Sequence, residues 1–300
     1  MKPTERSSRY VAPLLKLLIL LLACEGVQAA APKKILLIAG RVSHGKGEHE
    51  FRAGCLLLDA CLKQVPGVVS QVASNGWPAS DLEFEGVDAI LIYADGGTGH
   101  PAIQPARLAR LRQLMSKGVG LGCAHYGVEV PKGEPGDALL QWIGGYFEMF
   151  WSVNPHWVAD FKELPKHPIT RGVKPFSIND EWYYHMRFPE GMKGVVPILS
   201  ALPPAATLER PDGPHSGNPA VRASVAKGEP QVVMWAKERQ DGGRGFGFTG
   251  GHFHKNWQDE NFRKVVLNGL IWIAQARVPR NGVEVPLTPE MFKVNLDPKK

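Results

Sequence analysis

The stretch Lys117–Val130, KGVGLGCAHYGVEV, decides how the chain is read. It reads as a helix end, a thin apolar strand from Val119 to Cys123, and a turn that presents polar side chains in succession. Glycine at 120 and 122 suits a buried parallel strand whose neighbours approach closely. Ala124-His125-Tyr126 then stands where such a strand leaves the sheet, and open α/β sheets bind ligands there. A lone histidine at a strand end more often only hydrogen-bonds to a loop. This one has company: Ser43, His44 and His49-Glu50, then Asp180-Glu181 and His185, then His252 and His254.

Upstream of that stretch, Lys34–Ala39 is a continuous apolar run of the buried parallel kind, closed by Gly40. The loop from Arg41 to Glu50 feeds a helix over about 48–63, and 68–73 and 87–93 are further strands. Gln104 to Lys117 is a helix with Leu108, Leu111, Leu114 and Met115 as its buried stripe. Strand, helix, strand, strand, helix, strand is the order of a doubly wound α/β sheet. Gly96, Gly97 and Gly99 lack the spacing of a dinucleotide fingerprint and read as conformational glycines.

Downstream, 137–143 is a short helix, and Tyr146 to Trp157 is crowded with aromatics. That segment reads equally as a layer packed on the sheet and as a stacking wall for a sugar. Val158 to Leu164 is a strand. Period-two alternation over 179–185 places Glu181, Tyr183 and His185 on one side. Pro203 to Gly228 is a polar excursion, too long for an idle connection, that carries Arg210, His215 and Asn218. Strands at 195–199, 231–236 and 245–249 and a helix at 259–274 complete one domain over 32–278. An extended tail, 279–300, follows.

The composition, 44% hydrophobic and 21% charged with a net charge of +6, is that of a globular protein without a basic stripe, and nucleic acid is not an expected partner. The first 31 residues read as a targeting segment: Arg6 and Arg9 precede an apolar run to Ala23, and Val27-Gln28-Ala29 offers a small-residue cleavage site. Leu21-Leu22-Ala23-Cys24 alternatively resembles a lipobox, with Cys24 as a lipid anchor. Export to the periplasm or the envelope is expected either way. Cys55 and Cys61 stand six apart on a helix and Cys123 inside a strand, so the cysteines read as small core residues.

The polar set admits three chemistries. Cys123 as nucleophile is disfavoured, because it sits within an apolar strand without a base from another element. A divalent metal ion is a second reading, with His49, His252 and His254 as ligands, although no compact ligand motif is present. The third is acid–base work on a small carbohydrate. His125, Glu181 and Asp180 are its candidate catalytic groups, and Ser43, His44, Tyr126, Tyr183, Arg210, His215 and Asn218 hold the ligand. His44, His49, His125, Glu181 and His252 are expected to converge on one cleft, with His125 at its floor.

Ser43-His44-Gly45 with Gly47 to Glu50, Gly120 to Tyr126, His167-Pro168-Ile169-Thr170, Asp180 to Tyr183, and Gly250-Gly251-His252 together resemble the ThuA-like (trehalose utilisation) family. The resemblance spans about 34–276. It implies the class I glutamine amidotransferase-like fold, a flavodoxin-like three-layer α/β sandwich with a mostly parallel sheet. At the elbow where amidotransferases carry a catalytic cysteine, this chain has His125, so amidotransferase chemistry is not carried over. The resemblance further implies sugar catabolism, on trehalose-like disaccharides or their 3-keto forms. The long 203–228 loop and the export signal depart from the family's common pattern. A non-catalytic sugar-binding protein is the alternative.

Overall fold

Apolar runs flanked by glycine pair into a seven-stranded sheet in the computed structural model, which describes Met1 and residues 31–299. Residues 2–30, on which the reading of a targeting segment and of Cys24 as a lipid anchor falls, lie outside the described residues. No described helix is long and apolar enough to cross a membrane.

The strands are β1 (Lys33–Ala39), β2 (Val68–Ala73), β3 (Ala89–Tyr93), β4 (Gly120–Ala124), β7 (Val195–Ala201), β8 (Gln231–Glu238) and β9 (Arg244–Phe248), in the order β2-β1-β3-β4-β9-β8-β7. β2, β1, β3, β4 and β9 run parallel; β8 is antiparallel to both its neighbours. The order 2-1-3-4 followed by one more parallel strand is that of the flavodoxin-like sheet. A separate antiparallel pair, β5 (Trp157–Phe161) and β6 (Phe176–Asp180), lies off this sheet.

β1 shows why three layers form. Ile35 and Leu37 pack into one core with the buried faces of α1 (Phe51–Leu62) and α5 (Glu260–Ile273). Leu36 and Ile38 face the opposite core with α2 (Pro105–Met115) and α3 (Glu134–Trp142). A strand buried on both faces is apolar throughout. β4 tolerates so little side chain because its neighbours leave no room. A Cβ on Gly120 would lie 2.2 Å from the Ile273 carbonyl oxygen, and one on Gly122 2.6 Å from the Phe246 ring.

Four readings are changed or decided. The alternating strand expected over 179–185 ends at Asp180, and His185 adopts a left-handed backbone (φ 55°) and binds the Trp151 carbonyl. It therefore turns away from Glu181 and Tyr183. The aromatic segment is mostly core: Tyr146, Phe147 and Trp157 are buried, and Arg187 covers Trp151 with its guanidinium 3.8 Å from the ring centre. The loop at 203–228 contains a helix, α4 (Pro219–Ala226). The segment beyond Pro279 adds a short helix, α6 (Pro289–Lys293), and belongs to the same compact unit, Ala31–Lys300.

Candidate metal centre

Parallel strands deliver their following loops to one edge, and three such loops supply the site together with the residue after the antiparallel strand β6. His49 comes from the loop after β1, His125 from the end of β4, His252 from the loop after β9, and Glu181 from the residue after β6. His49 Nε2 lies 3.0 Å from both His125 Nε2 and His252 Nδ1. Glu181 Oε2 lies 3.1 Å from His252 Nδ1 and 3.5 Å from His125 Nε2. All four ligand atoms fall within 4.8 Å of one another. Four ligands held at ~2.05 Å around a tetrahedral ion are ~3.3 Å apart, so this spacing suits a first-row divalent metal.

Protons alone serve this cluster poorly. His125 Nδ1 donates to the Thr249 carbonyl at 2.9 Å, which leaves Nε2 as a lone pair aimed at His49. His49 Nδ1 lies 3.5 Å from Asp95 Oδ1, and His252 Nε2 lies 3.7 Å from Glu48 Oε1. The outer nitrogen of His125 is thus held by a hydrogen bond, as in metal-binding imidazoles, while those of His49 and His252 approach carboxylates without a hydrogen-bond partner and the inner nitrogens face each other. Burial and the neighbouring His44 and His252 push the His49 pKa down to about 2, and burial pushes that of His125 well below the histidine range. Both stay neutral and able to ligate. Burial opposes charge on His252, but its bond to Glu181 raises its pKa. Burial likewise works to raise Glu181, and the bond to His252 overrides it and lowers Glu181.

The backbone is bent to make this possible. His44, His49 and His125 all have left-handed φ values, 58°, 45° and 50°. Such backbone costs a non-glycine residue about 1–3 kcal/mol and persists where the surroundings enforce it. At His125 it forms the sharp elbow between β4 and the turn that follows.

A cleft of about 350 Å³ opens on the cluster, lined by His44, His49, Tyr126, Asn154, Glu181, Tyr183, Arg210, His215 and His252. Its size is at the small end for ligand sites. Two larger hollows elsewhere on the surface contain none of the four converging residues. Tyr183 brings its hydroxyl to 3.3 Å from His125 Nε2. His44 stands on the rim with its ring stacked 3.5 Å above His49. Ser43 donates to Asp95 Oδ1 at 2.8 Å and accepts from His44 Nδ1 at 2.9 Å, so His44 Nε2 keeps its lone pair.

The long 203–228 segment reaches this cleft. Arg210 donates to Asn154 Oδ1 at 3.0 Å, and Asn154 Nδ2 donates to Glu181 Oε1 at 3.1 Å, which steers the other carboxylate oxygen toward the histidines. His215 is bound to both oxygens of the buried Glu129 at 3.1 Å. That bond raises the His215 pKa, with burial opposing.

Three candidates stand elsewhere. Asp180 is fully buried and accepts from the backbone N–H groups of Gly251, His252 and Glu181 and from Asn256. Both its oxygens are occupied, so it shapes the loop that carries His252 and does not reach the cleft. His254 bonds to the Phe292 carbonyl and stacks on that ring, outside the cluster. Asn218 caps α4 and donates to the Trp151 carbonyl. Glu129, Asn154, Asp95 and the rim residue His156, whose Nε2 is 3.8 Å from Glu181 Oε1, are parts of the site that sequence reasoning did not single out. Cys123 is buried in β4 behind the elbow, and burial pushes its thiol pKa up.

A family model described as "Trehalose utilisation", ThuA, matches residues 42–273, which include every residue of the cluster. The chain belongs to the ThuA family. Two solved structures share its fold. One is a ThuA-like protein from Bacteroides uniformis, 18% identical, covering 82% of this chain and 93% of that one with a TM-score of 0.57. The other is a ThuA-like protein from Parabacteroides merdae, 14% identical, covering 85% and 94% with a TM-score of 0.55. These likenesses establish the flavodoxin-like α/β fold of this ThuA chain. No match is found among curated proteins.

Proposed function

We propose that this ThuA-family chain is an exported, divalent-metal-dependent enzyme of carbohydrate catabolism. Its substrate is a trehalose-like disaccharide or the 3-keto derivative of one. The observation that carries the reading is the convergence of three imidazole nitrogens and one carboxylate oxygen beneath a polar cleft. His49, His125, His252 and Glu181 would hold the ion, which would supply a Lewis acid for a sugar hydroxyl or keto oxygen. Tyr126, Asn154, Arg210 and His215 offer hydrogen bonds to the remaining hydroxyls. His44, held through Ser43 to Asp95, is the rim base that can take a proton. His44 is placed to take the proton beside the carbonyl of a 3-keto sugar.

The purified protein, offered trehalose and 3-keto-trehalose with and without a chelator, tests this. Turnover should vanish with the chelator and return on addition of a divalent ion. Turnover indifferent to chelation would leave acid–base chemistry without an ion. Tight sugar binding without turnover would favour the non-catalytic alternative. Export rests on the order of basic, apolar and small residues in the first 31 positions. The native protein should begin after Ala29 or at a lipidated Cys24, and an intact Met1 on cytosolic protein would refute it.

A further inference from the structure

We infer that the carboxyl-terminal segment clamps the metal-binding loop, and that Lys299 is a positioning residue for His49 acting through Glu50. The inference rests on the metal reading above and extends it to a segment remote in sequence from the cluster.

The loop after β1 is gripped from two sides. On one side, His49 N–H donates to the His252 carbonyl at 2.9 Å, and His254 N–H donates to that of Gly47 at 2.9 Å. These bonds tie His49 to the loop of its fellow ligand His252. On the other side stands the tail. Lys299 Nζ donates to the carbonyls of Glu48 and His49, the latter at 3.1 Å, and lies 3.5 Å from Glu50 Oε1. The Lys299 and Glu50 side chains are 2% and 1% exposed, so the pair is buried. Glu50 turns this contact inward: Oε1 accepts from Gly47 N–H at 2.9 Å, and Oε2 accepts from Asp297 N–H at 3.1 Å.

The tail therefore touches the residue before His49, its own carbonyl, and the residue after it. His49 needs that restraint, because it holds a left-handed backbone and must aim Nε2 between two other rings. A strained conformation survives where contacts over-determine it, and here one set comes from the tail. No other cation pairs with Glu50 among the described residues. Without Lys299 a buried carboxylate beside the ligand is left uncompensated, and the loop must open to water to relieve it. Opening there withdraws one ligand of four.

The test is Co²⁺ titration of the metal-free full-length protein, followed by its visible absorption, in wild type, Lys299→Met, Lys299→Arg and the double variant Glu50→Gln/Lys299→Met. Wild type should bind one Co²⁺. Lys299→Met should bind at least tenfold more weakly and Lys299→Arg within about threefold of wild type. The double variant removes the buried charge together with its partner, at the cost of one of the two N–H bonds that Glu50 accepts, so it should fold with a melting temperature above that of Lys299→Met and still bind weakly, because the His49 carbonyl has lost its donor. Equal Co²⁺ affinity in wild type and in a folded Lys299→Met or double variant overturns the clamp and leaves the metal centre standing. Absence of Co²⁺ binding in wild type overturns both, which separates the two failures.

Discussion

Asp180→Asn is the substitution whose effect follows most directly from the contacts. The carboxylate receives four hydrogen bonds, two on each oxygen: Glu181 N–H and His252 N–H on Oδ1, Gly251 N–H and Asn256 Nδ2 on Oδ2. An amide keeps one oxygen and sets an N–H₂ group against two donors. The milder orientation faces Asn256, whose amide still reaches the Asn179 carbonyl at 2.8 Å, and sacrifices the Gly251 bond. The Gly251 N–H left without an acceptor costs about 1–3 kcal/mol, and the lost bond to Asn256, whose amide keeps another acceptor, about 0.5–1.5, so the two together predict about 1.5–4.5 kcal/mol of destabilisation. The same loop carries His252 and abuts Glu181, so metal affinity should fall as well, while the far side of the sheet is untouched. Urea denaturation of the metal-free protein gives the first quantity and Co²⁺ titration the second. A variant within about 0.5 kcal/mol of wild type, with unchanged Co²⁺ affinity, would refute the assignment of Asp180 as the support of that loop.

Other consequences are more local. Cys123→Ala should leave turnover within a few-fold of wild type and cost about 1 kcal/mol or more from lost packing, read by urea denaturation; loss of turnover in the folded variant would place chemistry at the thiol. His215, raised by its bond to Glu129, should titrate above the ordinary histidine value of ~6.5 by NMR, and Glu129→Gln should bring it back. Because the folded pKa is raised, the stabilisation from this pair is fully present below ~6.5 and is lost as pH rises through the elevated value. The stability difference between wild type and Glu129→Gln should shrink over that interval, and a gap that widens with pH would contradict the pairing.

Much of this architecture is legible in the sequence because both faces of the parallel strands are buried. A run such as Ile35-Leu36-Leu37-Ile38 has no other comfortable place, and the glycines of β4 mark close backbone approach. His125 is readable because it stands one residue past such a strand. Loops are harder. His252 and His254 are two apart, yet a helical turn begins at His254, and only His252 turns into the cluster. The strand ending at Asp180 shows the same limit: a period-two pattern runs on in the sequence after the backbone has left the extended state. Asn154 and Glu129 carry no local signal, since their importance comes from partners 27 and 86 residues away. The Thr249 carbonyl that orients His125 is main chain, which side-chain pattern reading does not register.

The central claim is that His49, His125, His252 and Glu181 hold one divalent ion. X-ray absorption on protein loaded with one equivalent of Zn²⁺ tests it most directly. The geometry predicts three imidazole nitrogens and one or more oxygens at ~2.0–2.2 Å, no sulfur scatterer at ~2.3 Å, and loss of the site in His125→Ala with the fold retained. A shell without imidazole scattering, or a shell identical in wild type and His125→Ala, would contradict it.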